Sequence, residues 1–362
     1  MKRFLAVLLG VVGLAWPASA LAHSEGAVYT LSNSSHGNAV IVFHRGPGGQ
    51  LHRDRSFPTN GRGTGSNLGS QGAIALSPDG RRLYAVNAAS NTISVFRTSG
   101  AWLHRIQVIR SGGELPISVT ARGRHVYVLN AGPSPSVVGF RVTHSGIGRI
   151  HGAWRRLATG DSGPAQVDVN PAGTVAVVTN KTSNTIDTFR ITPDGALGHA
   201  TSHPSVGGTP FGFAFTRSGT LVVSDASIPP SSGATAYAVS ASGALTPRSG
   251  AVENHQQASC WVAVTPDGRF AYTANAASGT LSGYRVHPGG SITLLDTGGG
   301  TASLGAGSHP LDEAVTPGGS FLYVLADGFG RLEALRIGSD GSLHHIGGLG
   351  GLPSGTVGIA AR

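Results

Sequence analysis

The stretch Leu76 to Arg97, LSPDGRRLYAVNAASNTISVFR, returns almost unchanged at Val264 to Arg285, VTPDGRFAYTANAASGTLSGYR. A chain that repeats a unit of this kind is built from copies of one supersecondary element, which excludes most single-core folds. Within the unit, Pro78-Asp79-Gly80 is a tight turn. Proline sets φ, aspartate bonds its own backbone, and glycine reaches φ > 0. The flanking residues alternate with period two (Leu83, Ala85; then Ile93, Val95) around a short polar loop at Asn87. That pattern predicts antiparallel hairpins.

Aligned on this unit, copies fall at 71–97, 116–142, 164–191, 210–239, 259–286 and 310–337. Each is followed by a Gly-centred turn and one more segment able to pair, such as Trp102 to Ile109 or Ser291 to Asp296. Each repeat therefore supplies four strands. Residues 27–55 hold the last three quarters of a repeat, and Thr356 to Ala360 reads as a first strand with nothing after it. Joining the two ends completes a seventh unit and removes the exposed faces that an open array would leave. The expected fold is all-β, a seven-bladed β-propeller closed by pairing the C-terminal strand with the N-terminal blade. An open solenoid or two sandwiches would not explain a chain that begins in mid-repeat and ends on the missing strand.

Composition agrees. There are 56 glycines among 362 residues, with few aromatics and little charge, and no useful amphipathic helix follows the first twenty residues. Residues 1–22 read as a secretory signal peptide: Lys2 and Arg3, an apolar stretch from Phe4 to Trp16, and small residues at Ala20 and Ala22. Cleavage is expected before His23, with Ala20 as the alternative. The apolar run is short for a membrane span, which takes about 20 residues. The propeller is then 23–362, with no membrane span in the mature chain, and a secreted or periplasmic location is expected. Cys260 is the only cysteine. It allows no internal disulfide and no thiolate cluster, and its apolar strand makes a buried hydrophobe of it. The net charge of +9 comes almost wholly from arginine. The arginines are scattered along the sequence, which argues against nucleic acid as a partner. Lys181 is the only lysine after residue 22.

Tyr-Ala-Val-Asn (84–87), Tyr-Val-Leu-Asn (127–130) and Tyr-Thr-Ala-Asn (272–275) resemble the Tyr-Val-Thr-Asn class of propeller repeat. Over 27–362 the layout resembles the lactonase-type seven-bladed propellers, which include 6-phosphogluconolactonase and the carboxymuconate-cyclising enzymes. The resemblance implies opening or closing of a lactone in the central channel by Arg, His and Glu side chains without a redox cofactor. It departs at one place. Many lactonase members carry Gly-Pro-Arg-His at the start of a blade, and here Gly163-Pro164-Ala165-Gln166 stands there. The family's catalytic residues are therefore not carried over.

Candidate site residues come from positions where one repeat differs from the others. Gln166, Trp261 and Asp312 each stand seven residues before a turn glycine, where other repeats have Ala73 and Gly212; Ser118 falls at the matching place. They are expected to ring one mouth of the channel, binding substrate or bonding neighbouring backbone. Glu313 is expected to point to the other side of its strand. The repeated loop asparagines, including Asn180, are expected to adopt and cap a left-handed turn. Lys181 follows Asn180 where other repeats have a small residue, and its ammonium could hold an anion or polarise a lactone carbonyl. Glu253 and His255, in the insertion 251–259, could supply acid–base chemistry or form a polar surface loop. The catalytic set is thus Lys181, Asp312, His255 and Glu253, and the binding set Gln166, Trp261, Asn180 and Ser118. No cofactor is required; Asp312, Glu313 and the loop asparagines permit a divalent ion without demanding one. The expected function is an exported lactonase-like hydrolase, a monomer acting on a small lactone or cyclic ester. The alternative is a non-enzymatic propeller that binds an envelope ligand.

Overall fold

The computed structural model describes residues 25–228 and 230–362; the segment read as a signal peptide lies outside them. Seven antiparallel sheets form seven blades, and the inner strands of successive blades touch all the way round the ring. From blade 2 onward the inner strands are Ile74–Leu76, Pro116–Arg122, Pro164–Val169, Gly208–Phe215, Ser259–Val264 and Pro310–Val315. Blade 1 is Gly26–Leu31, Ala39–Arg45 and Leu51–Pro58, and its inner strand is the C-terminal Val357–Ala361. Val28 pairs with Ala361, Tyr29 with Ala360 and Thr30 with Ile359. The ring is closed as the truncated first repeat requires. No α-helix occurs among the described residues, and no helix there is long and apolar enough to cross a membrane.

The alternating strands bury their apolar sides between blades, and the repeated tyrosines Tyr29, Tyr84, Tyr127, Tyr272 and Tyr323 are fully buried. A buried phenol needs a partner for its O–H. Four of these tyrosines find one on the next blade. The hydroxyl of Tyr29 donates to Gly100 O (2.6 Å), Tyr127 to Gly195 O (3.0 Å), Tyr272 to Gly341 O (2.9 Å) and Tyr323 to Gly49 O (2.8 Å). Each acceptor is a glycine in the turn between a third and a fourth strand. Gly49 shows why: its φ is +89°, and a Cβ there would lie 2.5 Å from the Phe321 ring. The repeat tyrosine is therefore a bolt from one blade to the next.

The repeated asparagine works differently from expectation. Asn87 has φ −122°, and the left-handed residue is Asn91, four positions later (φ 56°). Asn184 and Gly279 stand in the same relation to Asn180 and Asn275. The asparagine instead reaches across its loop. Asn87 Nδ2 donates to Thr92 Oγ1 and Ser94 Oγ, and Asn275 Nδ2 to Thr280 Oγ1 and Ser282 Oγ.

These bonds predict a contrast. Tyr323→Phe should lower unfolding free energy by about 1 kcal/mol, the worth of a typical net hydrogen bond. Tyr84→Phe should cost less than that, because the hydroxyl of Tyr84 lies beside the Arg82 guanidinium and donates to no carbonyl on the next blade. Urea unfolding of the two variants beside wild type checks both.

Candidate functional site

The inner strands all run the same way through the ring. Their starts share one face with the loops between second and third strands, here the loop face. The opposite, turn face carries the turns after the inner strands. Between the outer strand of blade 1 and the inner strand of blade 2 runs a Gly/Ser-rich connection, residues 59–73. Its last part enters the channel at the loop face and is tied to blades on several sides. Asn33 Nδ2 donates to Ser66 O (2.6 Å) and Lys181 Nζ to Gly69 O. Ser70 Oγ donates to Ile117 O (2.9 Å), and Trp261 Nε1 donates to Ser70 O (3.0 Å). Gln71 N donates to Ala165 O (3.1 Å), while its amide makes two bonds to the backbone of Val262 (2.8 and 2.9 Å). Gly72 N donates to Asp312 Oδ1 (3.2 Å), and Val119 N donates to Gly72 O (2.8 Å). Residues 66–72 thus form a plug held by blades 1, 3, 4, 6 and 7. Gly212 makes room for it: a Cβ there would lie 2.1 Å from Gln71 Oε1.

Beneath the plug is a cavity of about 160 Å³, lined by Gln71, Thr120, Gln166, Asp168, Asp312 and Glu313. Half-buried residues such as Ala75, Ala214, Val264 and Ala314 continue from it toward the turn face, so solvent reaches it from that side. Asp312 and Glu313 point to opposite sides of their strand, as alternation requires. Asp312 Oδ2 accepts from Gly358 N in blade 1 (3.0 Å), and Glu313 Oε1 accepts from Ala263 N in blade 6 (3.0 Å). Glu313 Oε2 is buried with no partner. Asp168 Oδ1 accepts from Thr120 Oγ1 (2.5 Å) and from Val169 N (2.7 Å).

Burial disfavours the charged form of all three acids. It pushes Asp312 up to about 6 against the pull of the Gly72 and Gly358 N–H groups. Glu313 is raised further, by burial and then by the neighbouring Asp312 charge. Burial also raises Asp168, opposed by its bonds to Thr120 and Val169 and by the Arg122 guanidinium. Burial and the Asp312 charge both bias Glu313 toward its protonated form, while the Gly72 and Gly358 N–H groups favour the ionised form of Asp312, so environment sets the two neighbouring acids apart.

The other sequence candidates fall in three places. Lys181 and Trp261 lie on the loop-face side of the plug. The ammonium sits 4.8 Å from the Phe211 ring centroid, and the Phe211 and Trp261 rings are 4.9 Å apart. Burial lowers the pKa of Lys181 and pushes the Cys260 thiol up to about 12. Gln166 and Ser118 bond the next inner strand: the Gln166 amide spans the N–H and C=O of Phe213, and Ser118 Oγ accepts from Val167 N. Asn180 Nδ2 donates to Thr185 Oγ1 (3.3 Å), and its Oδ1 has no partner. Glu253 and His255 face each other at 3.5 Å on the edge of blade 5, where Glu253 also accepts from Ser231 Oγ. No contact joins that pair to the cavity among the described residues. No group of three or more His, Cys, Asp or Glu side chains is placed to hold a metal ion among them.

Asp168, Thr120 and Gln71 are cavity residues that repeat-breaking at the chosen position did not find. Asp168 was visible two residues further on. Opposite the repeat tyrosine the inner strands carry Ala75, Thr120, Ala263 and Ala314, and Asp168 alone is acidic there.

The closed ring of seven blades defines a seven-bladed β-propeller. The family model for the lactonase seven-bladed β-propeller matches residues 23–146 and 147–227, more than half of the chain, and the chain belongs to that family. Among solved structures, it is similar to the periplasmic gluconolactonase of Pseudomonas aeruginosa: 18% identity, TM-score 0.69, covering 94% of this chain and 99% of that one. A candidate 6-phosphogluconolactonase from Bacteroides fragilis gives 17%, 0.68, 93% and 98%. A functionally unknown protein from Desulfotomaculum acetoxidans gives 13%, 0.74, 93% and 98%. At these identities the likeness is one of fold. No curated protein matches the chain.

The raised acids predict a sign for stability against pH. A folded-state value of about 6 for Asp312, above its ordinary 3.8, stabilises the fold fully below about pH 4. That contribution is lost as pH rises through 6, and amounts to about 3 kcal/mol. In Asp312→Asn the fall in unfolding free energy between about pH 3 and 7 should be flattened by about that amount, measured by urea titrations against the variant's own value at about pH 3.

Proposed function

We propose that the protein is a lactonase-like hydrolase that opens a small lactone in its central channel, reached from the turn face. The observation that carries this reading is the set of buried carboxyl groups around one cavity in a chain of the lactonase family. In the proposed reaction Asp168, made more basic by burial, takes a proton from water as its oxygen bonds the lactone carbonyl carbon. Glu313, held protonated with Oε2 free, gives its proton to the ring oxygen as the acyl–oxygen bond breaks. Asp312 keeps Glu313 protonated through its charge and fixes the plug through Gly72. The product is a hydroxy acid, and a proton passes from Asp168 to Glu313 through water to reset the site. A cavity of about 160 Å³ is below the roughly 300–1,000 Å³ of drug-sized sites, which restricts the substrate to a small ring. Lys181 acts in this scheme as a positioning residue that holds Gly69 and so the roof of the cavity.

We also propose that the protein works outside the cytoplasm. The basic and apolar character of residues 1–22 supports this, as does the periplasmic location of the Pseudomonas gluconolactonase.

A second reading, a propeller that binds an envelope ligand without chemistry, is favoured by one observation. Lys181, Trp261 and Asp312 are all engaged in holding the plug, and Glu253 and His255 sit apart from them. Hydrolysis of sugar, acyl-homoserine and aryl lactones by the purified protein separates the two. Turnover is expected, with kcat/KM falling by about 100-fold or more in Asp168→Asn and in Glu313→Gln. The rate should decline at acidic pH as Asp168 protonates and at high pH as Glu313 ionises. A folded protein without turnover on any of these lactones would support the binding reading.

A further inference from the structure

The pattern of tyrosine bolts breaks once among the repeat tyrosines, between blades 2 and 3. There Arg82 takes the turn carbonyls, with Nη1 donating to Gly146 O (2.8 Å) and Nη2 to Thr143 O (2.7 Å). The hydroxyl of Tyr84 is left buried beside the Arg82 guanidinium, with no turn carbonyl to accept from it. Gly146 also differs from the bolt glycines, with φ +157° against +58° to +95° at Gly49, Gly100, Gly195 and Gly341. The blades part here on the turn face around a groove of about 680 Å³, whose wall includes Tyr84, Arg81, Arg82 and Arg97. A second groove, of about 760 Å³, lies between blades 3 and 4 and is lined by Arg122, Arg124 and Arg141. The two meet at Gly123.

None of these six arginines has a carboxylate within 4.0 Å; the ion pairs among the described residues all lie elsewhere. Arg82, Arg97, Arg122 and Arg141 donate to backbone carbonyls, which orients their guanidinium planes without neutralising them. Arg81 and Arg124 make no side-chain hydrogen bond. Two carboxylates share the trough, and both are turned inward to their own turns: Asp79 accepts from Ser77 Oγ and Arg81 N, and Asp194 from Thr192 Oγ1. Like charges fixed side by side form a set of donors that an oxyanion would satisfy.

We propose that this trough on the turn face of blades 2 to 4 binds a small linear oligoanion carrying phosphate or carboxylate groups a few bonds apart. One anionic group sits over Tyr84, Arg81 and Arg97, and the next over Arg124 and Arg141. The site is separate from the channel and does not depend on the hydrolase reading.

The test is calorimetric titration of the full chain with tripolyphosphate and, separately, with citrate, at low salt. One equivalent of at least one of them should bind saturably, and which one binds tells phosphate from carboxylate. Arg81→Ala with Arg124→Ala should weaken binding by about tenfold or more. Arg217→Ala with Arg269→Ala removes the same charge from the other side of the turn face and should leave the affinity within about twofold, since exposed charges beyond a Debye length are screened. Thermal unfolding establishes that each variant is folded. No saturable binding of either anion, or equal losses in the two double variants, would each overturn the assignment.

Discussion

The inner edge of every blade is a strand with one side unpaired. Seven such edges face one another around a narrow channel, and their N–H and C=O groups are too enclosed to be left to bulk water. Most of the polar chemistry in the middle of this protein answers that constraint. Ser118 accepts from Val167 N, Gln166 bridges the backbone of Phe213, and Gln71 does the same for Val262. Asp312 takes the N–H groups of Gly72 and Gly358, and Glu313 takes that of Ala263. Ser224 bonds both Gly212 and Cys260. The plug belongs to the same solution, because Gln71 and Gly72 bring a further length of backbone into the channel to pair with edges that have no sheet neighbour.

The acids gain their chemical character from this structural duty. An aspartate that must reach two backbone N–H groups on different strands has to sit deep in the ring, and depth is what raises its pKa. The same depth leaves Glu313 with one oxygen bonded and one free. A fold that caps its inner edges with carboxyl groups therefore acquires acid–base groups with perturbed protonation on a small cavity. The loop face offers no comparable opening, since the segment 66–72 occupies it. This places the accessible side of the channel among the arginines of the turn face.

Most of the architecture was legible because it is local and repeated. The turn at Pro78-Asp79-Gly80, the alternation after it and the missing first strand of blade 1 recur at fixed spacing, and hairpin bonds follow from that spacing. The tyrosine bolts were readable as repeated residues, although their acceptors, 68 to 274 residues away, were not. The plug was not legible as a plug. Its partners are separated from it by 33 to 240 residues, and a Gly/Ser-rich stretch carries no local sign of what will hold it. For the same reason Lys181, a repeat-breaking residue in sequence, gave no indication that its ammonium would meet Gly69. Asp168 was legible in principle, as the one acid in a column of alanine and threonine, but only once the strand register fixed that column. Six arginines far apart in the chain (Arg81, Arg82, Arg97, Arg122, Arg124 and Arg141) are gathered along two adjoining grooves by the repeat, which length and composition alone do not reveal.

The most direct test of this account is hydrogen exchange at the amides of Gln71 and Gly72. Both lie in a connection between blades, where a surface loop would exchange within seconds. If the channel is closed at its loop face by this segment, the Gln71 amide, bonded to Ala165 O, and the Gly72 amide, bonded to Asp312, will be protected like the central strands. They will then exchange only with global opening. Exchange of these two amides at the rate of exposed loops would contradict the closed channel and reopen the loop face as a route to the site.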